Sequence, residues 1–236
     1  MKKLFLIFDL GQTLINEWNF LKFCDQKLLE LVNGFGGRID WRNYITLRNN
    51  IIINRMIGNG GIEELIVAIC KLILPIGYDR IVLRKIQPVL SYGKRKYFSL
   101  NDGAKDVVQT LSESHELGII SNQPKEAIEP LINANILQLF KKVVIPSTTK
   151  FKKPYHKKLL FEGIDFTEFP PSRCIMIGDR LDIDISPANK VGMKTIRFTD
   201  SLFHMQSAKI KHEIPTYNIK KLNEIPNVIK DIVSEF

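Results

Sequence analysis

Short apolar runs recur along this chain, and stretches with apolar residues at helical spacing separate them. The runs cover residues 4–8, 117–120, 143–145, 174–177, 195–198 and, more weakly, 217–219. The helix-like stretches that follow cover 103–114, 125–135, 155–163, 185–191 and 222–233. Strands that alternate with helices are joined by crossovers, so they lie parallel, with helices over both faces of the sheet. The expected fold is α/β, a doubly wound parallel sheet. Asn101 and Asp102 precede the first helical stretch, and Pro124 and Pro154 open the next two, as residues at helix starts do.

Between the first two runs lies more chain than one crossover needs. Residues 16–98 hold four helix-like stretches, at 18–32, 41–57, 62–74 and 81–90. Glycine- or proline-containing breaks divide them: Gly34-Phe35-Gly36-Gly37, Gly58-Asn59-Gly60-Gly61 and Pro75-Ile76-Gly77. These stretches predict a small α-helical domain, residues 16–98, inserted into an α/β core of residues 1–15 and 99–236. Two connecting segments near 14–17 and 92–100 would join them. A chain of 236 residues, 44% hydrophobic and 25% charged, buries enough apolar surface to fold without disulfides or a structural metal.

Cys24, Cys70 and Cys174 are widely spaced and odd in number, which fits neither a disulfide framework nor a metal knuckle and favours a reducing, cytoplasmic setting. Cys174 reads as a small core residue. The apolar start, Leu4 to Phe8, stops at Asp9 without a small-residue cleavage site, so it reads as a strand rather than a signal peptide. No run approaches the roughly 20 apolar residues of a membrane span, and no membrane partner is expected. The formal charge of +9 is concentrated at Lys141, Lys142, Lys150, Lys152, Lys153, Lys157 and Lys158, with Lys94-Arg95-Lys96 as a second cluster. Such charge forms a solvated face or draws in phosphate-like anions. Nucleic acid is disfavoured, because no zinc, helix-turn-helix or RNP pattern accompanies it. A monomer or homodimer is expected.

The residues just after the apolar runs carry the chemistry. The first run leads into Asp9, the second into Ser121-Asn122, and the fourth into Gly178-Asp179. Open parallel sheets bind ligands beyond the carboxyl ends of their strands. Carboxylates gathered there repel one another unless a cation lies between them. Oxygen ligands of this kind suit Mg²⁺, which keeps several waters and takes one or two carboxylates together with a substrate phosphate.

In order, Asp9-Leu10-Gly11-Gln12-Thr13-Leu14, Ile119-Ile120-Ser121-Asn122, Lys153-Pro154 and Gly178-Asp179-Arg180-Leu181-Asp182-Ile183-Asp184 resemble the four motifs of the haloacid dehalogenase-like (HAD) hydrolase superfamily. The resemblance spans residues 1–15 and 99–225 and implies a Rossmann-like core with a helical cap in the inserted position. It also implies Mg²⁺-dependent hydrolysis of a small phosphorylated substrate. Asp9 would be the nucleophile, forming an aspartyl-phosphate, and a metal ligand. Asp179 and the Gly11 carbonyl would be further direct ligands, and Asp184 an indirect one. Ser121 and Asn122 would hydrogen-bond the phosphoryl oxygens, and Lys153 would offset the shared negative charge. Asp182 reads instead as a helix cap.

One departure matters. The family's first motif is Asp-x-Asp-Gly-Thr-Leu, and its second aspartate, the general acid–base, is here Gly11. Loss of such a group costs about 10²–10⁴-fold in rate, roughly 3–5 kcal/mol. The expectation is therefore a slow or specialised phosphohydrolase. The alternatives are C–P cleavage with a cap lysine such as Lys22 or Lys27, dehalogenation, or a catalytically weak phosphate- and Mg²⁺-binding regulatory protein. An intact Gly178-Asp179 pair argues against the metal-free dehalogenase branch. Gln12 stands where the family has glycine and either touches substrate or is an exposed loop amide. Asn16, Trp18, Asn19, Arg48, Arg55 and Lys94 to Lys96 are candidate cap contacts, with Trp18 otherwise a core residue.

Overall fold

The computed structural model describes residues 3–148 and 168–234. A sheet of six strands forms the first unit: β1 Phe5–Phe8, β4 Glu116–Ile120, β5 Phe140–Val144, β6 Cys174–Gly178, β7 Lys194–Phe198 and β8 Tyr217–Ile219. Their order is β5-β4-β1-β6-β7-β8, and every neighbouring pair is parallel. The chain builds outward from β1 on one side and then returns to build on the other. Central β1 is therefore buried along its whole length, as its unbroken Phe-Leu-Ile-Phe sequence requires. Phe5 meets Phe169 edge-on at 5.4 Å, and Cys174 is buried in the same cluster.

A two-stranded antiparallel pair, β2 Ile15–Asn16 and β3 Ser99–Leu100, brings together the points where the long insertion leaves and rejoins this unit. Asn101 reinforces it, donating its backbone N–H to the Leu14 carbonyl at 2.9 Å and its side-chain amide to the Thr13 carbonyl at 2.7 Å. Asn101 therefore does not cap the helix that follows, α5 Ala104–Ser112, whose cap position is Gly103 in the left-handed region. The segment 125–135 is not one helix. A 3₁₀ turn, Lys125–Ile128, gives way to a short α6, Glu129–Asn133, beside Pro130, which has no amide hydrogen to donate to the preceding turn. Helices α7 Ser186–Lys190 and α8 Ile225–Ser234 complete the described α-helices of this unit. The helix expected at 155–163 lies outside the described residues.

Helices α1 Trp18–Gly34, α2 Trp41–Ile53, α3 Ile62–Ile73 and α4 Tyr78–Tyr97 form the second unit, Glu17–Phe98 together with Met205–Ser207. The sequence places the fourth helix only at 81–90. It continues to Tyr97 because Tyr92 and Tyr97 both pack against Phe23, with the Lys96 ammonium over their rings. The second helix stops at Ile53 rather than 57: Arg55 turns left-handed (φ 57°), and its guanidinium donates to the Ser207 carbonyl at 2.9 Å. Gln206 likewise donates its side-chain amide to the Ile52 carbonyl at 3.2 Å. Segment 205–207 therefore belongs with the helices, an addition that the sequence does not announce.

Several candidate contacts have partners within this unit. Arg48 pairs with buried Asp25, whose other oxygen accepts from Tyr44 Oη at 2.7 Å. Burial raises the Asp25 pKa even so, with the Arg48 cation and the Tyr44 hydrogen bond opposing it. Trp18 is 37% exposed rather than in the core. In the sheet unit, Lys141 of the basic run is held by Glu116 at 2.6 Å and Glu168 at 3.1 Å. No helix among the described residues is long and apolar enough to cross a membrane.

Candidate active site

Strand register sets the site. Phe8 pairs with Ile119 on one side and with Ile177 on the other. From that level the chain reaches Asp9 after one residue, and Ser121 and Asp179 after two. Three polar side chains thus follow the carboxyl ends of three adjacent strands, where the winding direction of the sheet reverses. Asp9 stays anchored to the sheet, its N–H donating to the Ile177 carbonyl at 2.9 Å.

Asp184 reaches the same place through a π-helical turn, Leu181–Ile185, an irregularity common at functional sites. The Asp184 N–H donates to the Arg180 carbonyl at 3.1 Å, and Asp184 Oδ2 accepts from the Arg180 N–H at 3.1 Å. Gly178 makes the approach possible, because a Cβ there would stand 2.6 Å from Asp184 Cγ. Carboxylate oxygens of Asp9, Asp179 and Asp184 lie within 4.8 Å of one another, and all three residues are buried. Asp182 is not the helix cap that the sequence suggests. It forms a two-pronged pair with Arg180, at 3.0 and 2.7 Å.

Electrostatics make the trio costly as it stands. The Asp179 carboxyl is held well above the usual carboxylate range, chiefly by burial and then by the Asp184 and Asp9 carboxylates, while Arg180 and a Ser201 hydrogen bond oppose the shift. Its Oδ2 is buried without a hydrogen-bond partner. A hard divalent cation is the natural complement to an orphaned buried oxygen on one of three clustered carboxylates. The sign of the effect on stability follows. An acid whose pKa is raised by folding favours the fold at low pH, and that contribution is lost as pH rises above its unfolded value near 4. Asp179→Asn is accordingly expected to raise the melting temperature of the metal-free protein at pH 7 by about 2–4 °C, or about 1 kcal/mol. Any stabilisation of the wild type by an added divalent cation should be lost with the same substitution; calorimetric melting with and without EDTA checks both.

The remaining candidates are distributed as follows. Ser121 is buried, its N–H donating to the Val144 carbonyl at 3.0 Å and its Oγ accepting from the Gln123 N–H at 3.2 Å. Asn122 is half-buried beside it, and Gly11 is buried in the Asp9 loop. Lys153 lies outside the described residues. Gln12 is not an exposed loop amide: it is 6% exposed, and its Oε1 accepts from the Leu202 N–H at 2.5 Å. Its backbone is left-handed (φ 52°), a conformation costing a non-glycine residue on the order of 1 kcal/mol.

Three contributors escaped the sequence reading. Ser201 bonds the Asp179 carboxylate. Arg197 donates from Nε to the Asp179 carbonyl at 3.2 Å. Arg180 stacks its guanidinium 4.4 Å from the centre of the Phe203 ring. A lone arginine inside the apolar run 195–198, and a serine shortly after that run, were the signals available.

A family model for the haloacid dehalogenase-like hydrolases matches residues 6–198, most of the chain and all three clustered aspartates. The chain belongs to the haloacid dehalogenase-like hydrolase family. Among its relatives is a glyceraldehyde 3-phosphate phosphatase of Methanopyrus kandleri, 27% identical over 152 residues, which are 62% of this chain and 64% of that protein. A protein of the same name in Methanocaldococcus jannaschii is 23% identical over 96% of this chain and 97% of the relative. The chain thus spans just under two thirds of the first relative's length and nearly all of the second's. In fold, it is similar to the HAD-hydrolase YfnB of Bacillus subtilis, solved bound to magnesium, with TM-score 0.68, 22% identity and coverage of 97% of this chain and 99% of the other.

Proposed function

We propose that this hydrolase is a Mg²⁺-dependent phosphohydrolase acting on a small phosphorylated metabolite through an aspartyl-phosphate at Asp9. The observation that carries the reading is the buried trio Asp9, Asp179 and Asp184, together with the unpartnered buried Oδ2 of Asp179. Asp9, Asp179 and the Gly11 carbonyl would hold the ion, with Asp184 supporting them. Bound there, Mg²⁺ supplies charge neutralisation for an anionic nucleophile meeting an anionic phosphate.

Asp9 attacks phosphorus with one carboxylate oxygen, forming the Asp9–phosphorus bond while the bond to the leaving oxygen breaks. Ser121 and Asn122 donate hydrogen bonds to the phosphoryl oxygens. Lys153 offsets the charge that nucleophile and phosphate share. Water then attacks phosphorus, releasing inorganic phosphate and restoring Asp9. With Gly11 in the second motif position, no carboxyl from that position protonates the leaving oxygen. Substrates whose leaving group departs without a proton are therefore favoured over ordinary alkyl phosphates.

A panel of phosphorylated compounds assayed with and without Mg²⁺ tests the reading. It includes acetyl phosphate, an aryl phosphate and glyceraldehyde 3-phosphate, the compound in the relatives' names. Mg²⁺-dependent phosphate release, fastest on acetyl phosphate, is expected. Silence on every compound, despite binding of phosphate analogues, would make this a binding protein. Phosphate release from a phosphonate, with a lysine trapped by borohydride, would move it to C–P chemistry.

A further inference from the structure

We propose that Gln12 is a positioning residue that braces the Asp9 loop against the Asp179 loop by gripping segment 201–203. The inference rests on the reading that the aspartate trio binds Mg²⁺, and it concerns side chains outside that trio. Gln12 lies three residues after Asp9, and its Oε1 accepts from the Leu202 N–H at 2.5 Å. The next residue, Phe203, donates its N–H to Ser201 Oγ at 3.1 Å, closing the segment into a tight turn. From β7, Arg197 donates Nη2 to the Phe203 carbonyl at 2.7 Å and Nε to the Asp179 carbonyl at 3.2 Å. Covalent and hydrogen-bonded links thus run without a break from the Asp9 loop through residues 202–203 and Arg197 to the backbone of Asp179. Gln12, Leu202 and Arg197 are all buried, so water does not compete for these bonds.

The backbone of Gln12 makes this choice of residue informative. Its left-handed φ is one that glycine adopts freely and glutamine does not. The side chain thus does something at this position that glycine could not. Mg²⁺ demands near-ideal octahedral oxygen geometry, so a brace fixing two ligand-bearing loops acts on affinity. Groups supporting metal ligands from behind typically change affinity by about 10–100-fold.

Isothermal titration of the 236-residue chain with MgCl₂, in the absence of phosphate, tests this alongside melting curves in EDTA. Gln12→Met keeps the length and removes the acceptor, and it should weaken Mg²⁺ binding about tenfold. Gln12→Gly also relaxes the backbone. It should melt in EDTA no lower than wild type while binding Mg²⁺ with the same deficit, a split that a purely structural role does not produce; this variant decides the matter if Gln12→Met fails to fold. Unchanged Mg²⁺ affinity in the folded variants overturns the inference while leaving the metal reading intact. A wild-type protein that takes up no Mg²⁺ overturns the metal reading, and the inference with it.

Discussion

Asp9→Asn is expected to lower phosphate release by at least about 10⁴-fold on any substrate that the wild type turns over. The substitution is nearly isosteric, and the backbone bond from residue 9 to the Ile177 carbonyl does not involve the side chain, so the fold should persist. An amide is a poor nucleophile toward phosphorus, and it also contributes less charge to a cation. Varying Mg²⁺ separates these two losses. If weakened metal binding were the whole effect, high Mg²⁺ would restore turnover. If Asp9 is the nucleophile, no concentration does. Retention of more than about a tenth of wild-type activity would exclude Asp9 as the attacking group.

Gly11→Asp should act in the opposite direction, and selectively. On alkyl phosphates the rate is expected to rise about 10²–10⁴-fold, the usual contribution of a positioned general acid. On acetyl phosphate it should change little, because acetate leaves without needing a proton. The new carboxyl works only while protonated, so the pH–rate profile on alkyl phosphates should gain a descending limb as pH rises through its pKa. Equal acceleration of both substrate classes, or of neither, would show that a missing acid is not what limits turnover.

The sequence reveals the sheet because a parallel core writes itself as apolar runs, and the polar residue ending each run identifies the ligand-facing edge. Asp9, Ser121 and Asp179 were legible in that way. Asp184 required the family resemblance, since only the π-helical turn beyond Gly178 brings it back to the others. Elements set by tertiary contacts were not legible. The paired strands Ile15–Asn16 and Ser99–Leu100 are two residues each, too short to carry a period. The last turns of Tyr78–Tyr97 are stabilised by aromatic packing on Phe23, which is more than fifty residues away. Gln12 looks like a polar loop residue until its partner, 190 positions further along the chain, is known.

Segment 205–207 bears on how this protein can be taken apart. A shortened chain made by splicing residue 16 to residue 99 would delete the Ile52 carbonyl and the Arg55 guanidinium that hold Gln206 and Ser207. The segment that loses these partners lies only a few residues beyond Ser201, which hydrogen-bonds the Asp179 carboxylate, and Phe203, whose carbonyl Arg197 holds. Chimaeras that exchange the helical unit between relatives therefore need to carry 205–207 with it as a further, discontinuous piece of donor sequence.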